Sequence, residues 1–279
     1  MDWKRNYHTH TDFCDGQNTP EEMAEAAAKK GFTALGFSGH SYTDFDTFYC
    51  MTPETFPEYC RQVRALREKY EGQMEILLGV ERDFYSDLDC RDLDYSIGSV
   101  HYIRWEGEYI PVDESEEVVR KTIEKFGNDP YAYAETYFDT DARPPALSRV
   151  VEQTGCDFIG HFDLIKKFNR NGTVLVDEHH PRYVTAWKKA LERLVPQGRP
   201  FEINTTPLSW REDGECYPSR EILKEICRLG GRITISSDAH SVDHLNRGFD
   251  QALAIAKEAG FRTVTVFHGG GVTEEIPIE

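Results

Sequence analysis

Apolar positions along this chain fall into short runs rich in β-branched and aromatic residues, each followed by a stretch with helical spacing. That alternation marks βα units around a parallel sheet. It predicts strands at residues 4–8, 33–38, 75–80, 94–100, 156–161, 200–204, 232–237 and 262–267. The first intervening helix carries a full set of end signals: Thr19 as N-cap, Pro20 in the first turn, Glu22 completing a capping box, and Gly31 after the last turn. Further helices are expected to start near Pro53, Glu178, Ser219 and Arg247, the one from Ser219 running into Gly230–Gly231. The connection from about 102 to 155 is longer than the rest, has helical spacing near 114–126 and 146–153, and reads as a lid or substrate-facing insert. Aromatic residues between 126 and 138 fit helix packing better than a ligand cage. No repeat, low-complexity tract or linker divides the chain, so residues 1–279 are expected to form one α/β domain, a β/α barrel.

Composition narrows the partners. At 279 residues and 39% hydrophobic the chain can fill one core. It has no uncharged apolar stretch of roughly 18 residues, and MDWKRNYHTH lacks the apolar run of a signal peptide, so a soluble, cytoplasmic protein is expected. Seven widely spaced cysteines with no CxxC pair read as free thiols. A net charge of −17 argues against nucleic acid and anionic membranes as partners. A phosphate ester would be accepted only where metal ions or a few local cations reverse that potential.

The chemistry stands at the strand ends. Successive predicted strands finish in Tyr7-His8-Thr9-His10, Ser38-Gly39-His40, Gly79-Val80-Glu81, Ser99-Val100-His101, Gly160-His161-Phe162-Asp163, Ile203-Asn204 and Ser236-Ser237-Asp238-Ala239-His240. In a barrel these ends converge on one face. Residues i and i+2 of a strand point the same way, so His8 pairs with His10, and Asp238 with His240. Six imidazoles and two carboxylates crowded together suit Zn²⁺, Mn²⁺ or Fe²⁺, and clustered carboxylates need a cation between them. Asp15, in Cys14-Asp15-Gly16, is a further carboxylate within reach.

The motifs HTHTDF with CDG, SGH, GVERDF, SVHYI, GHFDLIKKF, EINTT with YPSREIL, and SSDAHSVDHL together resemble those of the polymerase and histidinol phosphatase (PHP) superfamily, from His8 to about residue 250. GHFDLIKKF and YPSREIL look most like its histidinol-phosphate phosphatase branch. The resemblance implies a distorted (β/α)7 barrel with up to three metal ions at the C-terminal strand ends, leaving 262–267 peripheral to it. It implies a first metal on His8, His10, Glu81 and Asp238, with Glu81 bridging to a second on His101 and His161. A third would sit on Asp15, His40 and His240. One departure is Gly39, where the family usually has Asp; Phe267-His268-Gly269-Gly270-Gly271 also has no counterpart in the expected pattern.

The implied activity is hydrolysis of a phosphate monoester, L-histidinol phosphate, to L-histidinol and phosphate in histidine biosynthesis. Asp238 and His240 are candidates for moving protons as well as for ligation. Lys166 and Arg211, near the expected metal face, are candidates for binding the phosphate, and His244 for a supporting role beside His240. The acidic run Asp113, Glu114, Glu116 and Glu117 could receive an amine or imidazole, although a solvated helix start also explains it. Two other readings are a PHP phosphoesterase for nucleotides, sugar phosphates or phosphotyrosine, and a non-catalytic metal-binding regulator. Oligomeric state is left open by the sequence.

Overall fold

Seven of the expected strands pair in parallel and bend into a nearly closed barrel. This is a computed structural model, which describes residues 3–138, 147–170 and 172–278. In chain order the elements begin with β1 (Arg5–Asn6), α1 (Pro20–Lys29), β2 (Ala34–Phe37), α2 (Phe56–Lys69), β3 (Glu75–Asp83) and β4 (Tyr95–Ser99). The hairpin β5 (Tyr102–Trp105) and β6 (Glu108–Pro111), α3 (Glu116–Lys125), α4 (Pro130–Phe138) and α5 (Val150–Thr154) follow. Then come β7 (Phe158–Ile159), α6 (Pro181–Leu194), β8 (Phe201–Asn204), α7 (Arg220–Arg228), β9 (Ile233–Ser236) and α8 (Phe249–Ala259). The chain ends in β10 (Thr263–His268) and β11 (Val272–Pro277).

Barrel order is β1-β2-β3-β4-β7-β8-β9, every neighbouring pair parallel. The seam between first and last strands is one bridge, Thr9 opposite Ala239: the His10 N–H donates to the Ala239 carbonyl at 2.8 Å and the Ala239 N–H to the His8 carbonyl at 3.0 Å. Buried Asn6 pins the seam from below. Its Oδ1 accepts from the His8 and Ser237 N–H groups at 3.3 and 3.1 Å, and its Nδ2 donates to Ser237 Oγ at 2.9 Å. These side-chain bonds explain why ladder pairing at the expected strand 4–8 shrinks to Arg5–Asn6.

Across the barrel lies Tyr95, whose hydroxyl donates to the carbonyls of Tyr7 and Phe37 at 2.6 and 3.0 Å. It fits because Gly36 and Gly79 have no Cβ; one at either position would lie 2.4 Å from the Tyr95 side chain. The eighth expected strand stands outside the barrel. β10 pairs antiparallel with β11, and Phe267 packs on Tyr7, Tyr95 and Phe158 with ring centroids 5.3, 6.1 and 5.1 Å away. His268 contacts Glu75, the first residue of β3, at 2.9 Å, so this hairpin covers the N-terminal strand ends, opposite the strand-end histidines. That accounts for the FHGGG segment.

Helix signals are met where they are local. Thr19 accepts from the Glu22 N–H and Glu22 from the Thr19 N–H, and Gly31 takes the left-handed φ of 75° that ends the helix. The helix expected near Glu178 begins at Pro181 with His180 as its cap. Within 102–155 the structure adds the β5–β6 hairpin, turning at Glu106 (φ 48°) and Gly107 (φ 91°), and α4, which buries Tyr133, Tyr137 and Phe138. The helix expected at 146–153 resolves into a 3-10 turn at Leu147–Arg149 and the single turn of α5; residues 139–146 of this stretch lie outside the described residues.

Candidate metal centre

The eight ligand-type strand-end residues named from the sequence, and Asp15 from the turn after the first strand, meet at the C-terminal mouth of the barrel. Among the described residues, side-chain atoms that could ligate a metal and lie within 4.8 Å of one another form four overlapping groups: His8, His10 and Glu81; His8, His161 and Asp238; His40, Glu81 and His101; and His10, Asp15, His40 and His240. Glu81 is the hub, buried to 1% exposure. Its Oε2 lies 3.1 Å from His8 Nε2, 3.5 Å from His10 Nε2 and 2.9 Å from His40 Nδ1. Its Oε1 lies 2.7 Å from His161 Nε2 and 3.2 Å from His101 Nε2, and accepts from Ser99 Oγ at 2.7 Å. Asp238 Oδ1 stands 3.6 Å from His8 Nε2 and 3.2 Å from His10 Nε2. Asp15 comes within 3.5 Å of His10, 3.6 Å of His40 and 3.2 Å of His240. The turn that delivers Asp15 requires Gly16, whose Cβ would lie 2.5 Å from the Thr11 nitrogen.

Although they lie near one another and near His40 and Asp238, His8 Nε2, His10 Nε2 and Glu81 Oε2 are buried without a well-formed hydrogen bond among the described residues. Three orphaned donor-set atoms facing one point are a large desolvation cost in a bare site, and they are what a cation would satisfy. The residues therefore fit metal. Electrostatics follow the same crowding. Burial would raise the Glu81 and Asp238 carboxyls, but the surrounding imidazoles hold both well below the ordinary carboxylate range. Burial would lower His40, yet Glu81 and Asp15 push it up to about 9. His10 goes the other way, to about 3, from burial and the charges of His240 and His40.

Behind the cluster stand residues that the sequence reading did not single out. Glu202 Oε1 meets His8 Nδ1 at 2.7 Å, and Asp83 Oδ2 meets His101 Nδ1 at 3.2 Å. Period-2 alternation was the available signal: Glu202 shares a face with Asn204, and Asp83 with Glu81. Asp238 itself has a φ of 50°, unusual for a residue other than glycine and typical of a functional turn. Arg247 lies beneath that turn, donating to the Ser237 carbonyl at 3.3 Å.

The expected phosphate cations are placed otherwise. Lys166 is fully buried, 2.7 Å from Asp163 Oδ2 and 3.5 Å from Glu178. Arg211 pairs with Asp213, with Glu178 at 3.3 Å, and with the Asn169 carbonyl at 3.0 Å. Both charges are thus neutralised by carboxylates, and Arg211 lines a separate pocket of about 500 Å³ with Glu178, Trp187 and Ser219. Lys167 pairs instead with Asp113 at 3.0 Å. Burial would raise the Asp113 carboxyl, but Lys167, His101 and His161 lower it, so it sits at the edge of the cluster. His244 lies in the turn Val242–His244, its pKa lowered by partial burial, Arg247 and His240. At position 39 a Cβ would come 3.1 Å from Met51 Cε and 3.2 Å from Cys14 Sγ, so a side chain there requires these two neighbours to give way by a few tenths of an ångström.

Comparison with known proteins agrees with this geometry. A probable histidinol-phosphatase of Deinococcus radiodurans is 30% identical over 274 residues, covering 94% of this chain and 95% of the relative. The histidinol-phosphatase of Bacillus subtilis is 27% identical over 272 residues, covering 90% and 98%. Among solved structures, histidinol phosphate phosphatase from Lactococcus lactis, complexed with zinc, L-histidinol and phosphate, superposes with a TM-score of 0.74 at 21% identity, covering 97% of this chain and 98% of that one. The PHP domain profile matches residues 6–206, which hold seven of the nine clustered residues, and with the relatives above it establishes that this chain belongs to the PHP domain family.

Proposed function

We propose that this protein is a metal-dependent phosphomonoesterase that hydrolyses L-histidinol phosphate to L-histidinol and inorganic phosphate. The observation that carries the metal half is Glu81, a buried carboxylate with an imidazole nitrogen of five different histidines within 3.5 Å. The substrate half is supported by relatives that carry the histidinol-phosphatase name over nearly their whole length. The proposed ions are two or three divalent cations, Zn²⁺, Mn²⁺ or Fe²⁺: one on His8, His10 and Asp238, one on His101 and His161, with Glu81 between them, and a third on Asp15, His40 and His240. Bound there, the ions supply Lewis acidity toward the phosphoryl oxygens and lower the pKa of a water.

The chain's own groups do the rest. Asp238, kept ionised by His8, His10 and His240, is the proposed hydrogen-bond acceptor that orients the attacking water. With the third site empty, His240, a third of whose side chain is exposed and whose pKa Asp15 and Asp238 raise against burial, can return a proton to the departing alcohol oxygen; with an ion there its ring is neutral and serves as a ligand. Asp113, at the edge of the cluster, is the acidic group proposed to face the substrate's amine. The test is kcat/KM across histidinol phosphate, a nucleoside monophosphate, a sugar phosphate and an aryl phosphate, with metal content measured on the same preparation. Equal or better turnover of the nucleotide would overturn the substrate. Full activity with less than one ion per chain would overturn the metal reading.

A further inference from the structure

Glu202 is a carboxylate in β8, between the buried Phe201 and Ile203, and has no exposed surface. A buried charge of this kind is costly unless its acceptor sites are filled. Here they are filled by the metal centre's own residues. Oε1 lies 2.7 Å from His8 Nδ1, while Oε2 accepts from the His161 backbone N–H at 2.8 Å and from Asn204 Nδ2 at 3.1 Å. Asn204 Nδ2 also lies 3.1 Å from Asp238 Oδ2. Glu202 belongs to none of the four groups of converging ligand atoms. It reaches three members of those groups from behind.

We infer that Glu202 is a positioning residue, which fixes His8 with its proton on Nδ1 and Nε2 toward the metal, and ties that imidazole to His161 and Asp238 so the subsites on either side of Glu81 keep one spacing. The inference rests on the proposed binding of metal. Its chemistry is that of an imidazole ligand: the nitrogen away from the ion must carry the proton, and an acceptor fixed on that side sets both tautomer and ring orientation. His101 has an equivalent in Asp83, whose carboxylate contacts, among the described residues, that imidazole and the His101 and Tyr85 N–H groups. Glu202 differs in touching residues of two strands and, through Asn204, a third.

Glu202→Gln isolates the role, because the amide has nearly the same shape and only one acceptor end. With its oxygen toward His161 and Asn204, the amide NH₂ faces His8 Nδ1 and drives the proton to Nε2, the atom that must ligate. In the reverse orientation the NH₂ faces the donors of His161 and Asn204. Neither orientation satisfies all three partners.

The experiment is a Zn²⁺ titration of metal-free parent and E202Q against a chromophoric chelator, with thermal melts of both. A ¹⁵N–¹H spectrum of the zinc-loaded parent accompanies it, with the His8 ring assigned. The expected result is E202Q binding Zn²⁺ about 10- to 100-fold more weakly, with its metal-free melt close to the parent's, and a His8 Nδ1–H proton in the parent. Equal Zn²⁺ affinity in the two proteins, or a parent spectrum with the His8 proton on Nε2, overturns the inference while leaving the phosphatase reading intact. A parent that takes up no Zn²⁺ overturns both. If E202Q does not fold, the parent spectrum alone decides.

Discussion

Replacing Glu81 with Gln should release the ions of two subsites together rather than one. The substitution keeps the shape of a fully buried side chain and removes one unit of charge, while turning one of two acceptor oxygens into an NH₂ that cannot face a cation. The lost oxygen lies either beside His8, His10 and His40 at 3.1, 3.5 and 2.9 Å, or beside His101 and His161 at 3.2 and 2.7 Å. A unit charge about 4 Å from another at an effective dielectric near 20 is worth about 4 kcal/mol, close to a thousandfold in binding. A dication would feel more. Because the charge is shared, both ions weaken by at least about that factor. Equilibrium dialysis with elemental analysis gives stoichiometry, and turnover of an aryl phosphate reports the assembled site. Retention of one ion at near-parent affinity, or a kcat within about tenfold of the parent, would refute the reasoning.

Lys166→Met should destabilise the protein by roughly 3–5 kcal/mol in denaturant melts, since it strands the buried Asp163 without its cation and leaves Glu178 to Arg211; a loss below about 1 kcal/mol contradicts the burial argument. Gly39→Asp should cost roughly 1–3 kcal/mol by overpacking against Met51 and Cys14, and a variant as stable as the parent would mean that this wall yields. The third concerns pH. His40 is raised to about 9 in the metal-free fold, against about 6.5 unfolded. Its contribution to stability is therefore full below about 6.5 and lost as pH climbs through about 9, so the metal-free melting temperature should fall across that window. Metal requires the neutral ring, so Zn²⁺ affinity should rise over the same interval, by about tenfold per unit for each proton displaced. An affinity flat from pH 6.5 to 9 counts against His40 as a ligand.

The nine clustered residues were legible because barrel topology gathers strand ends whatever lies between them. A strand misread by a residue or two still points its last histidine at the same mouth. Thr19 and Glu22 were legible for a different reason: a cap is settled within one turn. What escaped depends on partners distant in sequence or on competition for a charge. Lys166 looks like a free cation three residues after Asp163, and only the 3-10 turn at Leu164–Lys166 folds it back onto that carboxylate and under Glu178. The β5–β6 hairpin did leave a trace in Glu106-Gly107 between two aromatic-rich runs, and the insert's length drew attention away from it. Of the β10–β11 pair, β10 was legible as the expected strand 262–267, whereas its partner β11 and its packing on the far ends of other strands depend on distant residues.

The one-bridge seam gives the metal centre a mechanical task. β3 and β4 share five paired positions, whereas the joint at Thr9 and Ala239, like that of β7 with β8 at Ile159 and Phe201, is a single rung. Two ligand residues flank each side of that rung, His8 and His10 on one strand, Asp238 and His240 on the other. Any ion they share is a cross-link between chain segments more than two hundred positions apart, like Asn6 and Ser237, which lie 231 apart. Closing so long a loop removes more disorder from the unfolded chain than closing a short one, as a disulfide at the same place would. Ions bound here for chemistry would thus also buckle the hoop, and a protein stripped of them would lose that cross-link and hold the seam by the Thr9–Ala239 bridge and the Asn6–Ser237 bonds.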